Sequence, residues 1–355
     1  MGTSAVIYNY EKRLEWILNS IQNSGIDSEN KQQIHKFSRY LFAEGLSLGR
    51  IIKYLIEIHQ VAKILNKPFA STTKDDILEI VQQIERKQYK SWTKHDYKLA
   101  IKKFFKFLKG TEDYPDEVRW LRLNLDSSSH LLPEELLTIE DVTRMARVAT
   151  HPRDKALILT LYESGCRIGE ILSLKLKNIR FDEYGAIMTV DGKTGMRRIR
   201  IIASVPVLAT WIDNHPLKEN PDSPLWICLS HRHRNSIIKY PVAVQLLKKY
   251  AKDAGLKKRI YPHLFRHSRA TFLANHLTEA QLKQLFGWVQ GSDVASTYVH
   301  LSGRDIDNAL LRLNGIQVTE ELKENSFRLI TCPRCEHVNS PGTRLCNSCG
   351  LTLPV

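Results

Sequence analysis

Several things are missing from this chain of 355 residues, and each absence narrows what it can do. No apolar run reaches about 18 residues, so no membrane-spanning helix is offered, and the start lacks the apolar core of a secretory signal. The expectation is a soluble, cytoplasmic protein without a membrane partner. Cysteine is scarce, and four of the six crowd into the last 25 residues, leaving Cys166 and Cys228 alone. A secreted disulfide framework would spread its cysteines across a small fold; this clustering points to metal. Acidic residues are outnumbered, 38 against 52 Lys and Arg, for a net charge of +14 with His neutral. That excess favours a polyanion, with nucleic acid the first candidate because binding phosphates releases condensed counterions.

Signatures of other chemistries are absent too. No carboxylate cluster marks a two-metal nuclease. Gly192-Lys193-Thr194 imitates the end of a phosphate-binding loop, but Ile187 stands where that loop needs its first glycine, and a strand rather than a helix is expected to follow. His263 and His267 have the spacing of a metalloprotease pair without its Glu. There is no internal repeat or low-complexity tract, and 43% hydrophobic residues suffice for sizeable cores.

What is present begins as helices. Ile34, Phe37 and Leu41 lead, followed by Leu48, Ile51, Ile52, Leu55 and Ile58 behind an N-cap at Ser47. Ile77, Ile80, Val81 and Ile84 repeat the period after Thr72-Thr73, and Tyr97, Ile101, Phe104, Phe105 and Leu108 do so up to Gly110. The spacing predicts a small helical bundle over residues 1–122. Between Arg86 and Lys109 stand nine Lys or Arg and one acid, Asp96, interleaved with Tyr89, Trp92 and Tyr97. This is either a solvated helix face or a stripe facing DNA. Residues 123–137, with three serines and Pro133, read as a linker. Thr138 and Asp141 form a capping box that opens a second domain over 138–314. There a helix runs from Pro152 to Gly165, and strands cover Ile187–Val190 and Arg198–Ile202. The fold class is mainly α with a small β-hairpin.

Five separated elements lie in that second domain. They are Gly165-Cys166-Arg167-Ile168-Gly169-Glu170, the turn Gly192-Lys193-Thr194-Gly195, His263-Leu264-Phe265-Arg266-His267, Gly287-Trp288 and Tyr298-Val299-His300. Singly each is weak, since a lone tyrosine or tryptophan is usually core or surface. Together and in order they resemble the catalytic domain of the tyrosine recombinase (phage integrase) family. The helical bundle fits that family's core-binding, DNA-clamping domain, and Tyr-Val-His-Leu-Ser with Trp at 288 looks closest to archaeal integrases. Trp288 lies ten residues before Tyr298, one more than in many bacterial relatives, and the extra residue is expected in the turn from Gln290 to Asp293.

The chemistry explains why such residue types belong together. A phenol ionises near pH 10, low enough to be activated by neighbouring cations. Arg167 and Arg266 carry permanent charge in planar forks that match the non-bridging phosphate oxygens. His263 can bond the phosphate or accept the phenol proton, and the Trp288 indole can only donate. Lys193 is the candidate acid for the departing 5′-oxygen, and Glu170 orients Arg167. The resemblance implies a nucleophilic Tyr298, a 3′-phosphotyrosyl intermediate, and no catalytic metal or ATP. It also implies double-stranded DNA as partner, a homotetramer on paired sites, a monomer or dimer off DNA, nucleoid association when bound, and a mobile-element integrase. A catalytically idle DNA-binding protein and a relaxing topoisomerase are the alternatives.

Residues 328–355 form a further module. Cys332-Pro333-Arg334-Cys335 and Cys346-Asn347-Ser348-Cys349 give CxxC-x10-CxxC, two knuckles that complete a four-thiolate site. So short a segment cannot build an adequate core, so structural zinc would largely fold this ribbon. Residues 304–314 read as an amphipathic helix, which in the family docks on a neighbouring subunit; a cap within the chain is the alternative.

Overall fold

A computed structural model describes residues 3–123, 133–192, 194–289, 291–301, 313–315 and 327–353. The middle of the expected linker, Lys193, Gln290 and nearly all of the expected 304–314 helix lie outside the described residues. The chain forms two compact units, residues 1–130 and 131–355.

The first unit is helical: α1 (Thr3–Tyr8), α2 (Tyr10–Gln22), α3 (Ser28–Ala43), α4 (Leu48–Leu65), α5 (Lys74–Arg86), α6 (Ser91–Lys109) and the short α7 (Asp116–Arg119). The periodic positions point inward as the spacing requires. Phe37, Leu41, Leu55, Ile58, Ile80, Ile101, Phe104 and Phe105 share one core. Thr73 and Asp76 close a reciprocal capping box on α5. Ser47 occupies the N-cap of α4, but its side chain makes no capping bond. α6 ends at Gly110, which takes the left-handed conformation (φ 63°) that a side chain resists.

The cations of α6 have partners inside the unit. Lys94 and Lys98 both reach Glu85, Lys103 reaches Glu44 and Lys109 reaches Glu117. Lys102 is buried and donates to the Leu121 carbonyl. The aromatics divide as well: Tyr97 is buried with Tyr89 stacked on it, while Trp92 is 59% exposed.

In the second unit, Thr138 and Asp141 form the expected capping box on α8 (Ile139–Val148). α9 (Pro152–Ser164) starts at proline, ends at Gly165 (φ 58°), and is buried along nearly its whole circumference. Short α10 (Ile168–Leu172) follows, with Arg167 at its N-cap position and the Arg167 amide donating to Glu170. An antiparallel meander comes next: β1 (Ile179–Asp182), β2 (Gly185–Gly192) and β3 (Gly195–Ile201), with Gly192 opposite Gly195 at the hairpin end. β1 is an addition to the two expected strands. Ala186, Met188 and Val190 alternate inward on β2. The buried carboxylate of Glu163 accepts from the backbone of Ile202, Ala203 and Ser204, pinning the chain where it enters α11 (Val205–Asp213). α12 (Tyr240–Asp253), α13 (Pro262–Ala274), α14 (Glu279–Phe286) and α15 (Val294–Leu301) complete the helices, with α13 packed on α9 and carrying α14 and α15. β4 (Ile330–Thr331) and β5 (Val338–Asn339) pair in the cysteine-rich segment, which packs on α11 through a bond from the Val207 amide to Ser340 Oγ.

Candidate active site

The site is built where α9 stops. A side chain at Gly165 would be strained by its positive φ, and its Cβ would lie 2.4 Å from the Phe286 ring. Bare backbone there leaves the Gly165 carbonyl open to Arg266 Nη1 at 3.0 Å, and Arg266 Nη2 donates to the Phe286 carbonyl at 2.7 Å. Arg266 is only 2% exposed and lies over the rings of Phe286 and Trp288. Burial first, and then Arg167, push its pKa down to about 10. Two of its donors are committed to carbonyls, and its position is fixed before any ligand arrives.

Arg167 stands at the start of α10, with its side chain 33% exposed. Its amide donates to Glu170 Oε2 at 2.8 Å, and its Nη1 to Oε1 at 2.9 Å. Glu170 is buried, which alone would raise its pKa, but bonds from Arg197 and Arg167 outweigh that and hold it lowered. Arg197, on β3, reaches the same carboxylate at 2.7 and 3.1 Å and donates from Nε to the Leu285 carbonyl. One acid therefore ties the hairpin to Arg167, and one arginine ties it to α14.

Lys193 lies outside the described residues, but its neighbours are placed. A Cβ on Gly192 would fall 2.4 Å from Glu170 Oε1, and Thr194 Oγ1 donates to the Gly287 carbonyl at 3.2 Å. The two flanks of residue 193 thus touch the support of Arg167 and the glycine before Trp288. A cleft of 360 Å3 opens beside them, lined by Thr194, Arg197, Gln284, Gly287 and Trp288.

Tyr298 enters from α15 and is 6% exposed. Its ring stacks flat on Trp288 (5.2 Å, 3°), which stacks on Phe286 (4.8 Å, 14°). Its hydroxyl lies 2.5 Å from Nδ1 of His267. Burial pushes the phenol up to about 12, against the pull of Arg266. His263 keeps exposed surface, yet desolvation around its ring and then Arg266 and Arg167 lower its pKa. Its ring packs edge-on to His267 at 4.6 Å. Burial, His263 and Arg266 take His267 down to about 4, so it is neutral near pH 7.

Arg167, His263, Arg266, Trp288 and Tyr298 therefore meet in one site. Two residues there were not predicted. Arg197 could have been noticed as a cation on the inward-facing side of β3, in step with Ile199 and Ile201. His267 shares the helical face of His263, one turn on.

The four cysteines converge at a second site. Cys332 and Cys349 place their sulfurs 3.6 Å apart, Cys335 and Cys346 3.5 Å, and all four fall within 4.8 Å of one another. A disulfide needs about 2.05 Å, whereas thiolates around one tetrahedral ion at about 2.3 Å stand near 3.8 Å apart. The donor set fits a metal ion, and Asn339 Nδ2, 3.7 Å from Cys346 Sγ, supplies an outer hydrogen bond.

A family model described as "Phage integrase family" matches residues 131–304. The chain is 26% identical over 282 residues to the tyrosine recombinase XerA of Pyrococcus furiosus, covering 79% of this chain and 93% of that protein. With XerD of Rickettsia bellii the identity is 28% over 303 residues, covering 78% and 97%. Among solved structures, the XerH recombinase bound to a palindromic difH substrate, in a post-cleavage complex, matches with TM-score 0.60 at 18% identity, over 88% of this chain and 97% of that one. A lambda integrase fragment dimer bound to a COC′ core site matches with TM-score 0.59 at 15% identity, over 77% and 96%. At such identities the structures speak for the fold.

Proposed function

We infer the reaction from one premise: the chain belongs to the phage integrase family, the tyrosine recombinases. It is a site-specific DNA recombinase that cuts and rejoins double-stranded DNA through a covalent bond to Tyr298. The observation that carries this reading is a phenol hydrogen-bonded to a histidine in the same site as Arg266, which two carbonyls fix, and Arg167, which Glu170 holds.

The scissile phosphate sits against Arg167, Arg266 and His263, whose charge and donors match the growing negative charge of a five-coordinate phosphorus. The Trp288 N–H adds a donor. The Tyr298 oxygen attacks phosphorus, the bond to the 5′-oxygen breaks, and Lys193 supplies that oxygen with a proton. The 3′-phosphotyrosyl bond keeps the energy of the phosphodiester, so a 5′-hydroxyl can reverse the step without a nucleotide. Strand exchange takes place in a homotetramer on paired sites, assembled from monomers or dimers, on nucleoid DNA in the cytoplasm; an integrase of a mobile element is the setting proposed. The C-terminal cysteines hold one structural zinc, which elemental analysis of the untagged protein would read as one ion per chain.

Denaturing electrophoresis of the protein with a nicked site oligonucleotide tests the core of this reading. Wild-type protein is expected to leave a covalent adduct. Tyr298→Phe is expected to bind DNA with near-normal affinity and leave none. Adduct from the Phe variant would place the nucleophile elsewhere.

A further inference from the structure

The hydrogen-bond partner of Tyr298 is a residue that the recombinase motif does not employ. His263 occupies the motif position, yet the phenol oxygen rests 2.5 Å from Nδ1 of His267. The His267 ring lies between the two, 4.6 Å from the centre of His263 and 5.7 Å from that of Tyr298. We propose that His267, rather than His263, takes the proton from Tyr298 when the nucleophile attacks. This rests on reading Tyr298 as the nucleophile.

The geometry sets the direction of the bond. A neutral imidazole with its proton on Nε2 presents Nδ1 as an acceptor, and the phenol then donates to it. At rest the transfer is strongly uphill. The phenol is buried, and the groups that face His267 are cationic or neutral: His263 and Arg266 from α13, with Arg167 acting on both of them. A phosphate diester seated on Arg167, Arg266 and His263 brings in a negative charge and offsets that field. The proton affinity of His267 rises when the phenol must become a nucleophile, so substrate binding itself arms the base.

The step balances. The Tyr298 O–H bond breaks, its proton goes to Nδ1, and the oxygen lone pair forms the O–P bond. The P–O5′ bond breaks, and the 5′-oxygen is protonated by the general acid assigned above to Lys193. In religation the 5′-hydroxyl attacks and returns its proton to the deprotonated general acid, the Tyr298–P bond breaks, and the phenolate recovers its proton from His267.

Single-turnover adduct formation by the full-length protein, at saturating DNA, tests the assignment. His267→Ala is expected to slow the step by on the order of 10²-fold or more, the range of a lost general base, with DNA affinity unchanged. The decisive comparison puts a fluorinated tyrosine, whose phenol ionises near neutrality, at position 298. That nucleophile needs no base, so His267→Ala should then react within a factor of about three of its fluorotyrosine parent. His263→Ala should stay slow in both backgrounds, because its task is the phosphate. A wild-type rate for His267→Ala, or a loss undiminished with fluorotyrosine, would overturn the proposal. Should the alanine variant not fold, or the fluorotyrosine parent be inert, His267→Asn decides with ordinary tyrosine. Its amide oxygen accepts the bond but cannot hold the proton, so a near-normal rate overturns the assignment and a large loss supports it. Adduct from Tyr298→Phe would be a different failure, that of the nucleophile itself.

Discussion

Two groups of positive charges, one in each unit, carry the same formal charge in opposite ways. On α6 four lysines lean on carboxylates at the surface: Glu44 takes Lys103, Glu117 takes Lys109, and Glu85 takes both Lys94 and Lys98, at 3.1 and 2.8 Å. Such pairs are worth about 0–1 kcal/mol and are screened by salt, so a phosphate can replace the carboxylate at little cost. In the second unit the cations are arginines held by atoms that cannot move away. Arg266 is fixed by two backbone carbonyls, and Arg197 by a carbonyl and the buried Glu170. Lysines that can change partners suit a surface that meets DNA of any sequence; arginines that cannot suit the stabilisation of one charge distribution.

The strongest way to break this contrast is at Arg266. Arg266→Ala should lower the single-turnover adduct rate by on the order of 10³-fold, near the upper range for removing one preorganised donor, with weaker effects on DNA affinity. Arg266→Lys should recover little, because one ammonium nitrogen cannot take the places of both Nη1 and Nη2 on the Gly165 and Phe286 carbonyls and still present a planar fork to a phosphate. A lysine variant within a few-fold of wild type would erase the distinction between the two groups.

Glu170 comes next. It faces Arg167 and Arg197 together, so Glu170→Gln leaves both short of a counter-charge in a buried place. A loss of about 3 kcal/mol in denaturant unfolding is expected, with adduct formation reduced by roughly ten- to a hundredfold. Arg197→Ala should cost less, and the double variant should be far from additive, because both changes dismantle one network. Additive losses would mean that Arg197 and Glu170 act separately.

Local elements of the fold were legible in the sequence. The Thr138–Asp141 box, Pro152 at a helix start and Gly165 at its end all depend on neighbours within a turn. Ser47 marked the right position without making the bond, since the cap preference reflects backbone conformation as well as the side chain. β1 was missed because four residues with three exposed side chains carry no alternation to read. In the site, Arg167, His263, Arg266, Trp288 and Tyr298 meet, while Lys193 lies outside the described residues. Arg197 was not singled out and His267 was weighed only as half of a metal-ligand pair, since their partners lie 27 and 31 residues away and no local pattern announces a contact at that range. The same limit applied to α6, where the run of cations was plain but the acids that engage them sit on other elements, at Glu44, Glu85 and Glu117.

The smallest expected effect, and the finest test of the contrast, lies at Glu85. If Lys94 and Lys98 can be traded from carboxylate to phosphate, Lys94→Gln with Lys98→Gln should flatten the slope of log K against log salt by up to about two, roughly one for each phosphate left without its cation. Affinity at moderate salt should fall less than about tenfold, because many other cations remain. Glu85→Gln should act in the opposite direction. It removes the carboxylate both lysines now face, leaving Lys94 its bond to the backbone carbonyl of residue 85, so both are held less firmly and binding should tighten slightly at low salt. Stability should hardly change in either variant, as expected for exposed pairs. The two variants separate what one alone would confuse. If the double glutamine change left affinity and slope untouched, α6 would be a solvated face held by its own acids, and its cations would have no share in binding. If it weakened binding while Glu85→Gln left binding unchanged, the lysines would reach phosphate without leaving Glu85, and the exchange of partners described for this surface would be wrong.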